Sequence, residues 1–326
     1  MHEPAADLRP FRERLVNALE DMGRTGPSGT VDWLSRFGLG DGLPVVPPDA
    51  ASVAGMLGSR PADGPATGGP LPLSFAIPTW WEVAACAVLA GCPPDVAGLV
   101  DVVAAALDAA ADPAFNLLGV QATTGAAAPL VVVHGPIVDR LGLNPGTGAL
   151  GPGCRLNATI GRAVRLALAD IGVCRPGEGD MATHGHPGKY TWLAAENQPA
   201  SPWAPLAVDR GLSEEASAVT VFPGVGNVEV ALPTTSPDDV VDRLTAVLAG
   251  LAAPRSMILV PPESAELVAR CGWGRREFEA ALEARGCGPL VLLVTGGAGI
   301  KATVVPGWGG PSEPVTRELR PAAVRP

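Results

Sequence analysis

Between residues 175 and 197 the chain concentrates side chains that can do chemistry: Arg175, Asp180, His184, His186, Lys189, Tyr190 and Glu196. Two of its four histidines, its sole tyrosine and one of its two lysines fall within the seven positions 184–190. In an extended segment His184 and His186 project to one face. With Asp180 or Glu196 they would offer a mixed nitrogen and oxygen ligand set to a divalent metal. The alternative is proton chemistry, with one histidine as acid or base while Lys189 or Tyr190 polarises a carbonyl. A structural loop is the third reading. A segment so poor in apolar residues persists in a compact domain more readily when it lines a site.

A second feature lies just upstream. Gly151-Pro152-Gly153-Cys154-Arg155-Leu156-Asn157 precedes a helix expected over 158–171, for which Asn157 is a good N-cap. Glycines before a helix start leave backbone N–H groups reachable, and the helix dipole favours an anion there. Arg155, Asn157, Thr159 and Arg162 are therefore expected to bind a carboxylate or phosphate, with ordinary capping and surface arginines as the alternative. The polar turn 121–125 adds Thr123 and Thr124 as substrate contacts. Cys92, in Ala90-Gly91-Cys92-Pro93-Pro94, is placed near a helix start, where a thiol is acidified, and is the expected nucleophile or redox thiol if it is not simply buried.

One tempting motif fails on context. Gly146-Thr147-Gly148-Ala149-Leu150-Gly151 satisfies G-x-G-x-x-G, and Asp170 stands at a plausible distance for a ribose ligand. A dinucleotide fingerprint must follow a strand directly, whereas here a helix over 136–141 intervenes and Pro152 follows. NAD(P) is not expected, and Gly296-Gly297-Ala298-Gly299 is set aside because it leads into an extended segment.

The elements that must position these residues read as α/β. Short apolar strands are expected at 130–133, 218–222, 257–260 and 290–294, alternating with helices over 95–109, 136–141, 237–251 and 262–270. An amphipathic helix over 5–22, carrying Leu8, Phe11, Leu15, Ala18 and Leu19 on one face, docks on the body or on a partner, and a short helix is expected over 31–37. The order helix, strand, helix recurs, with Val131-Val132-Val133-His134-Gly135-Pro136 set against Ile258-Leu259-Val260-Pro261-Pro262. The expected architecture is layered helices on small mixed sheets in two related halves: an arm over 1–30, a first half over 31–210 with the site, and a second half over 211–326.

Composition excludes several classes. The chain has 326 residues, a net charge of −10 and no basic run, which argues against nucleic acid as partner. Its 47% hydrophobic content contains no apolar run of the roughly 18 residues a bilayer span needs, and the N-terminus lacks a signal-peptide pattern, so a cytoplasmic location is expected. The six cysteines form no C-x-x-C pair, which argues for reduced thiols and against a zinc ribbon. Scarce lysine beside abundant Ala, Gly, Pro and Arg fits a high-GC bacterial coding bias.

Gly40-Asp41-Gly42-Leu43-Pro44-Val45-Val46-Pro47-Pro48, Ala90-Gly91-Cys92, Gln121-Ala122-Thr123-Thr124, His134-Gly135-Pro136, Gly151-Pro152-Gly153, Asn157-Ala158-Thr159-Ile160-Gly161-Arg162-Ala163, His186-Pro187-Gly188-Lys189-Tyr190 and Ser201-Pro202-Trp203 together resemble a bacterial family. That family is associated with the UGSC (Sec/Cys-Gly-Ser-Cys) selenoprotein-like proteins. The UGSC motif itself is missing from this chain, and Cys154 stands where the resemblance leads one to expect asparagine. The resemblance implies a thiol or selenol partner protein. It favours a lyase or thiol-linked oxidoreductase step on the small carboxylated or otherwise anionic metabolite that the 151–162 segment is expected to bind; a homo-oligomer is the alternative to a redox partner protein. The other reading is an accessory, non-catalytic subunit that positions the redox partner and docks through its amphipathic N-terminal helix.

Overall fold

In this computed structural model residues 10–25 and 34–319 are described. The expected N-terminal helix is α1 (Phe11–Thr25), and its Phe11, Leu15 and Ala18 are buried in the main core. Among the described residues the apolar stripe therefore docks on the chain's own body. Leu8 and the start of the helix expected over 31–37 lie outside the described residues.

Four helices follow: α2 (Ala50–Leu57), α3 (Trp80–Leu89), α4 (Leu99–Ala111) and α5 (Leu117–Ala122). α3 opens with a capping box in which Thr79 and Glu82 satisfy each other's backbone N–H groups. Then come β1 (Ala128–His134), α6 (Ile137–Leu141), α7 (Arg155–Asp170), β2 (Leu193–Ala195), α8 (Leu206–Asp209), β3 (Ala218–Gly224) and β4 (Val228–Ala231). The remainder is α9 (Pro237–Leu251), β5 (Ser256–Val260), α10 (Pro262–Arg270), α11 (Arg275–Glu283), β6 (Leu290–Val294), β7 (Lys301–Pro306) and β8 (Val315–Glu318). Ser236 caps α9, Pro237 fills its first position and Asp238 and Asp239 complement its dipole, which is why this helix begins where the sequence places it.

The expected mixed α/β fold is present as two four-stranded mixed sheets, ordered β2-β1-β3-β8 and β4-β7-β5-β6. Alternate residues of the strands explain the layers. Leu130, Val132 and Phe222 of one sheet meet Met257, Leu259, Leu293 and Val305 of the other in a core between them. Val131, Val133, Val219 and Val221 face α4, α7 and their neighbours, and Ile258, Val260, Leu292 and Val294 face the helices of the second half. The result is helix, sheet, sheet, helix. Strands covered on both faces need no polar alternation, hence the unbroken apolar runs.

The two sheets repeat one plan. Each has a parallel pair (β1 with β2, β5 with β6), an antiparallel third strand (β3, β7) and an antiparallel fourth. The fourth strands are exchanged: β4 directly follows β3 yet pairs with β7, and β8 directly follows β7 yet pairs with β3. The boundary expected at residue 211 therefore does not divide the sheets, because β3 belongs to the first and β8 returns to it. The repeat is visible in sequence at a place the helix-strand-helix comparison passes over. Thr220-Val221-Phe222-Pro223-Gly224-Val225-Gly226 matches Thr303-Val304-Val305-Pro306-Gly307-Trp308-Gly309 as Thr-Val-x-Pro-Gly-x-Gly.

These segments meet reciprocally. Val225 N–H donates to Pro306 O at 2.9 Å and Trp308 N–H to Pro223 O at 2.7 Å. A Cβ at Gly224 would lie 2.7 Å from Val305, and one at Gly307 would lie 3.4 Å from Phe222 and 2.7 Å from Arg255. The close approach at the centre of the pseudo-twofold requires both glycines.

The halves differ in the crossover between their parallel strands. From β5 to β6 the chain runs through two short helices, whereas from β1 to β2 it is about twice as long and carries the 16-residue α7 and the polar loop beyond it. The added chemistry sits on that longer crossover.

Candidate functional site

α7 is an arginine-bearing helix in an apolar setting, and four features anchor the loop that leaves it. Arg165, 7% exposed, donates through Nε to Lys189 O at 2.9 Å and through Nη1 to Gln121 Oε1 at 3.2 Å. The carbonyl of Arg175 accepts from the N–H groups of Glu178, Gly179 and Asp180, closing a tight turn, and Thr183 is tied to Thr124 O. Thr191 Oγ1 donates to Ala158 O at 2.6 Å. At the loop's entrance Val173 has φ +59°. A β-branched residue in the left-handed region stores on the order of 1–3 kcal/mol of strain, a cost met elsewhere in the fold and common at sites.

The loop and α7 enclose a cleft of about 710 Å³ lined by Asp41, Arg165, Arg175, Asp180, His184, His186, Lys189 and Tyr190 among others. Four of the expected catalytic residues thus come together. Lys189 Nζ donates to both oxygens of Asp180 at 2.7 and 2.8 Å, and Arg165 faces the same carboxylate at 3.7 Å. Burial holds the Lys189 pKa below its ordinary value against the opposing pull of Asp180. His184 and Tyr190 are exposed at the cleft rim.

His186 is not the extended partner of His184 that an H-x-H reading anticipates. It caps a 3-10 turn at Pro187–Lys189, its Nδ1 accepting the N–H of Gly188 at 3.1 Å, and it stands edge-on to Trp192 at 4.6 Å. Burial, with Lys189 and Arg165 nearby, pushes its pKa down to about 4. The ring is therefore neutral near pH 7, with its proton on Nε2, because Nδ1 is already an acceptor. Nε2 is buried and has no hydrogen-bond partner.

The other expected residues lie elsewhere. Glu196 points away from the cleft. Its carboxylate accepts from Leu206 N–H at 2.8 Å and from Arg275 at 3.4 Å, and burial pushes its pKa up to about 7. Asp180 is taken by Lys189, and among the described residues no three His, Cys, Asp or Glu side chains converge as a metal-binding group. The ligand set of His184, His186, Asp180 and Glu196 is not assembled.

The helix-start site is also redistributed. α7 begins at Arg155 behind Cys154, so Asn157 is inside the helix, not its cap. Its amide is spent on Asn144 N–H and on the carbonyls of Asn144 and Ala149. Arg155 donates twice to Gly91 O, and Arg162 grips Asp41 at 2.7 and 2.8 Å and Pro44 O. Both guanidinium groups are structural ties. Thr159 lies beside the Cys92 thiol, Thr123 Oγ1 accepts from Gly125 N–H and Trp308 Nε1, and Thr124 offers its carbonyl to Thr183. Asp170, the ribose candidate, is buried and accepts from Gly40 N–H and Arg175.

Cys92 is 3% exposed, and burial pushes its thiol up to about 11, against the acidified thiol expected from its position. Pro93 and Pro94 do not open a helix, since α4 starts at Leu99. Without a helix dipole aimed at the sulfur, desolvation wins.

Arg165, Asp41 and Cys174 line the cleft without having been singled out by sequence. A usable signal existed for Arg165, which interrupts the apolar run Ala163-Val164-Arg165-Leu166-Ala167-Leu168. A cation in such a run is buried and must be partnered. The sequence reading also missed the buried polar cluster in which Glu196 actually sits, with His134 and Arg275 and the half-buried Asp209, at the ends of β1 and β2.

The chain matches no protein-family model, no curated protein and no solved structure at a significant level. No helix among the described residues is long and apolar enough to cross a membrane.

Proposed function

We propose that this protein is an enzyme that binds a small anionic, carboxylated metabolite in the cleft beside α7 and performs proton-transfer chemistry of the lyase type. The observation that carries the reading is the convergence of His184, His186, Lys189 and Tyr190 with the buried Arg165 around one cavity. Arg165 and Lys189 supply positive charge in a partly dry setting, where it is worth more than in water. His186 lines the cleft and suits the role of a neutral hydrogen-bond donor to a carbonyl oxygen once its ring turns the Nε2–H outward, since that group is buried and unpaired, a state that costs roughly 1–3 kcal/mol until a partner arrives. In this scheme a C–H bond next to the carbonyl breaks, its electron pair moves onto the oxygen facing His186 and the proton passes to His184 at the solvent edge; the pair then returns to form the C=C bond and expels the substituent on the neighbouring carbon, which leaves with its bonding electrons and takes a proton from solvent.

The resemblance to the UGSC-associated family is compatible with a lyase or a thiol-linked step. The thiols favour the former: Cys174 lines the cleft, but burial pushes it up to about 11, as it does Cys92. The test is solvent exchange. In D2O the wild-type protein should wash deuterium into the carbon next to the carbonyl of bound 2-oxo acids, read by proton NMR, and Lys189→Gln and His186→Ala should abolish it. Exchange that survives both substitutions would remove the cleft from the chemistry.

A further inference from the structure

The cleft's charge and walls narrow the ligand class, an inference that rests on the cleft being the functional site. Asp41 is closed off by Arg162, and Asp180 is held by Lys189 at 2.7 and 2.8 Å. Arg175 is shared between Asp170 at 3.3 Å and Glu178 at 3.7 Å. Arg165 alone has no carboxylate at hydrogen-bond distance, since it reaches Asp180 only at 3.7 Å and spends its bonds on the neutral oxygens of Gln121 and Lys189. Arg165 and Lys189 thus share the single carboxylate of Asp180, and this triad carries one net positive charge toward the cleft, whereas a second negative charge on a ligand would meet Asp41 and Asp180.

Beside His184 and His186 the wall has an apolar stretch: the exposed ring of Tyr190, with Pro176, Pro187 and Ala169. A volume of about 710 Å³ also exceeds what a two- or three-carbon acid fills. At ~30 Å³ per water it holds the equivalent of about two dozen solvent molecules. Those next to apolar walls are favourably displaced by an apolar body and not by a small polar one.

We infer that the cleft takes an organic monoanion, a single carboxylate carried on an apolar body of aryl size, with the carboxylate at Arg165 and the body against Tyr190.

Calorimetric titration of the purified full-length chain with four probes tests this: phenylacetate, acetate, 2-phenylethanol and phenyl phosphate. Phenylacetate should bind at least tenfold more tightly than each of the others. Tyr190→Ala, a change at an exposed side chain, should shrink the phenylacetate-to-acetate ratio to threefold or less. Equal binding of acetate and phenylacetate, tighter binding of phenyl phosphate, or a ratio untouched by Tyr190→Ala would overturn the inference. If that happens while Lys189→Gln still weakens carboxylate binding by tenfold, the cleft remains the anion site and only the ligand class is wrong. If carboxylates do not bind, or bind folded Lys189→Gln as well as wild type, the underlying reading falls with it.

Discussion

Replacing Asp180 by asparagine keeps the side chain's shape and removes the charge that Lys189 holds at 2.7 and 2.8 Å and that Arg165 faces at 3.7 Å. The side chains are 6% exposed for Asp180, 8% for Arg165 and 13% for Lys189, so water does little to screen the change. Removing one partner of a buried ion pair costs about 3–5 kcal/mol. The lower figure applies, because burial already favours loss of the Lys189 proton, although Arg165 has no such escape. At about 2 °C per kcal/mol for a chain of this size, ~3 kcal/mol lowers Tm by about 6 °C. The same change leaves the cleft one charge more positive, so an anion should recover part of the loss; a ligand at about 100 times its Kd contributes ~2.7 kcal/mol. Thermal melts followed by circular dichroism, with and without sulfate at matched ionic strength, read both effects. A Tm within 1 °C of wild type, or equal sulfate gains in the two proteins, would refute the buried-pair account.

Glu196 gives a signed pH dependence. With an ordinary value of 4.5 and a folded pKa of about 7, the folded state binds more protons between those limits, so stability falls as pH rises through this window and the penalty is complete above it. Glu196→Gln should therefore stabilise by up to ~3 kcal/mol at pH 8 and by almost nothing below pH 4.5, in urea denaturation; equal effects at both pH values would contradict this. Gly161→Ala places a Cβ 2.5 Å from Thr191 Oγ1 and 2.9 Å from Trp192 N. The substitution should cost roughly 1–3 kcal/mol by overpacking and loosen the loop's hold on α7, a loss visible as faster hydrogen exchange at residues 183–191. Cys92 and Cys174, both buried with raised pKa values, should resist Ellman's reagent in the native protein while the exposed Cys271 reacts at once; rapid native labelling of Cys92, located by peptide mapping, would revive it as a working thiol.

Much of the fold was legible because it depends on local rules. α9 begins at Pro237 and ends at Leu251, where the cap, proline and apolar spacing place it, and β6 spans the apolar run 290–294. The exchange of β4 and β8 was not, since pairing partners far apart in sequence leave no periodic trace. The repeated Thr-Val-x-Pro-Gly-x-Gly was available as its one written sign. At the site, clustering of rare polar types located the loop, so His184, His186, Lys189 and Tyr190 were found together. Roles assigned from local motif failed where tertiary contacts decided them. Asn157 looked like a cap yet bonds Asn144, Arg155 and Arg162 looked free yet tie down Gly91 and Asp41, and Glu196 lies near the loop in sequence but faces Arg275. Burial reversed the thiol expectation at Cys92 for the same reason.

The most direct test of the cleft as the functional site is a crystal structure of the protein soaked with phenylacetate. The account predicts density in the cavity beside α7, with the carboxylate within hydrogen-bond distance of Arg165 or Lys189 and the ring against Tyr190. Density confined to another cavity, such as the one beside Arg60 and Arg317, would contradict it.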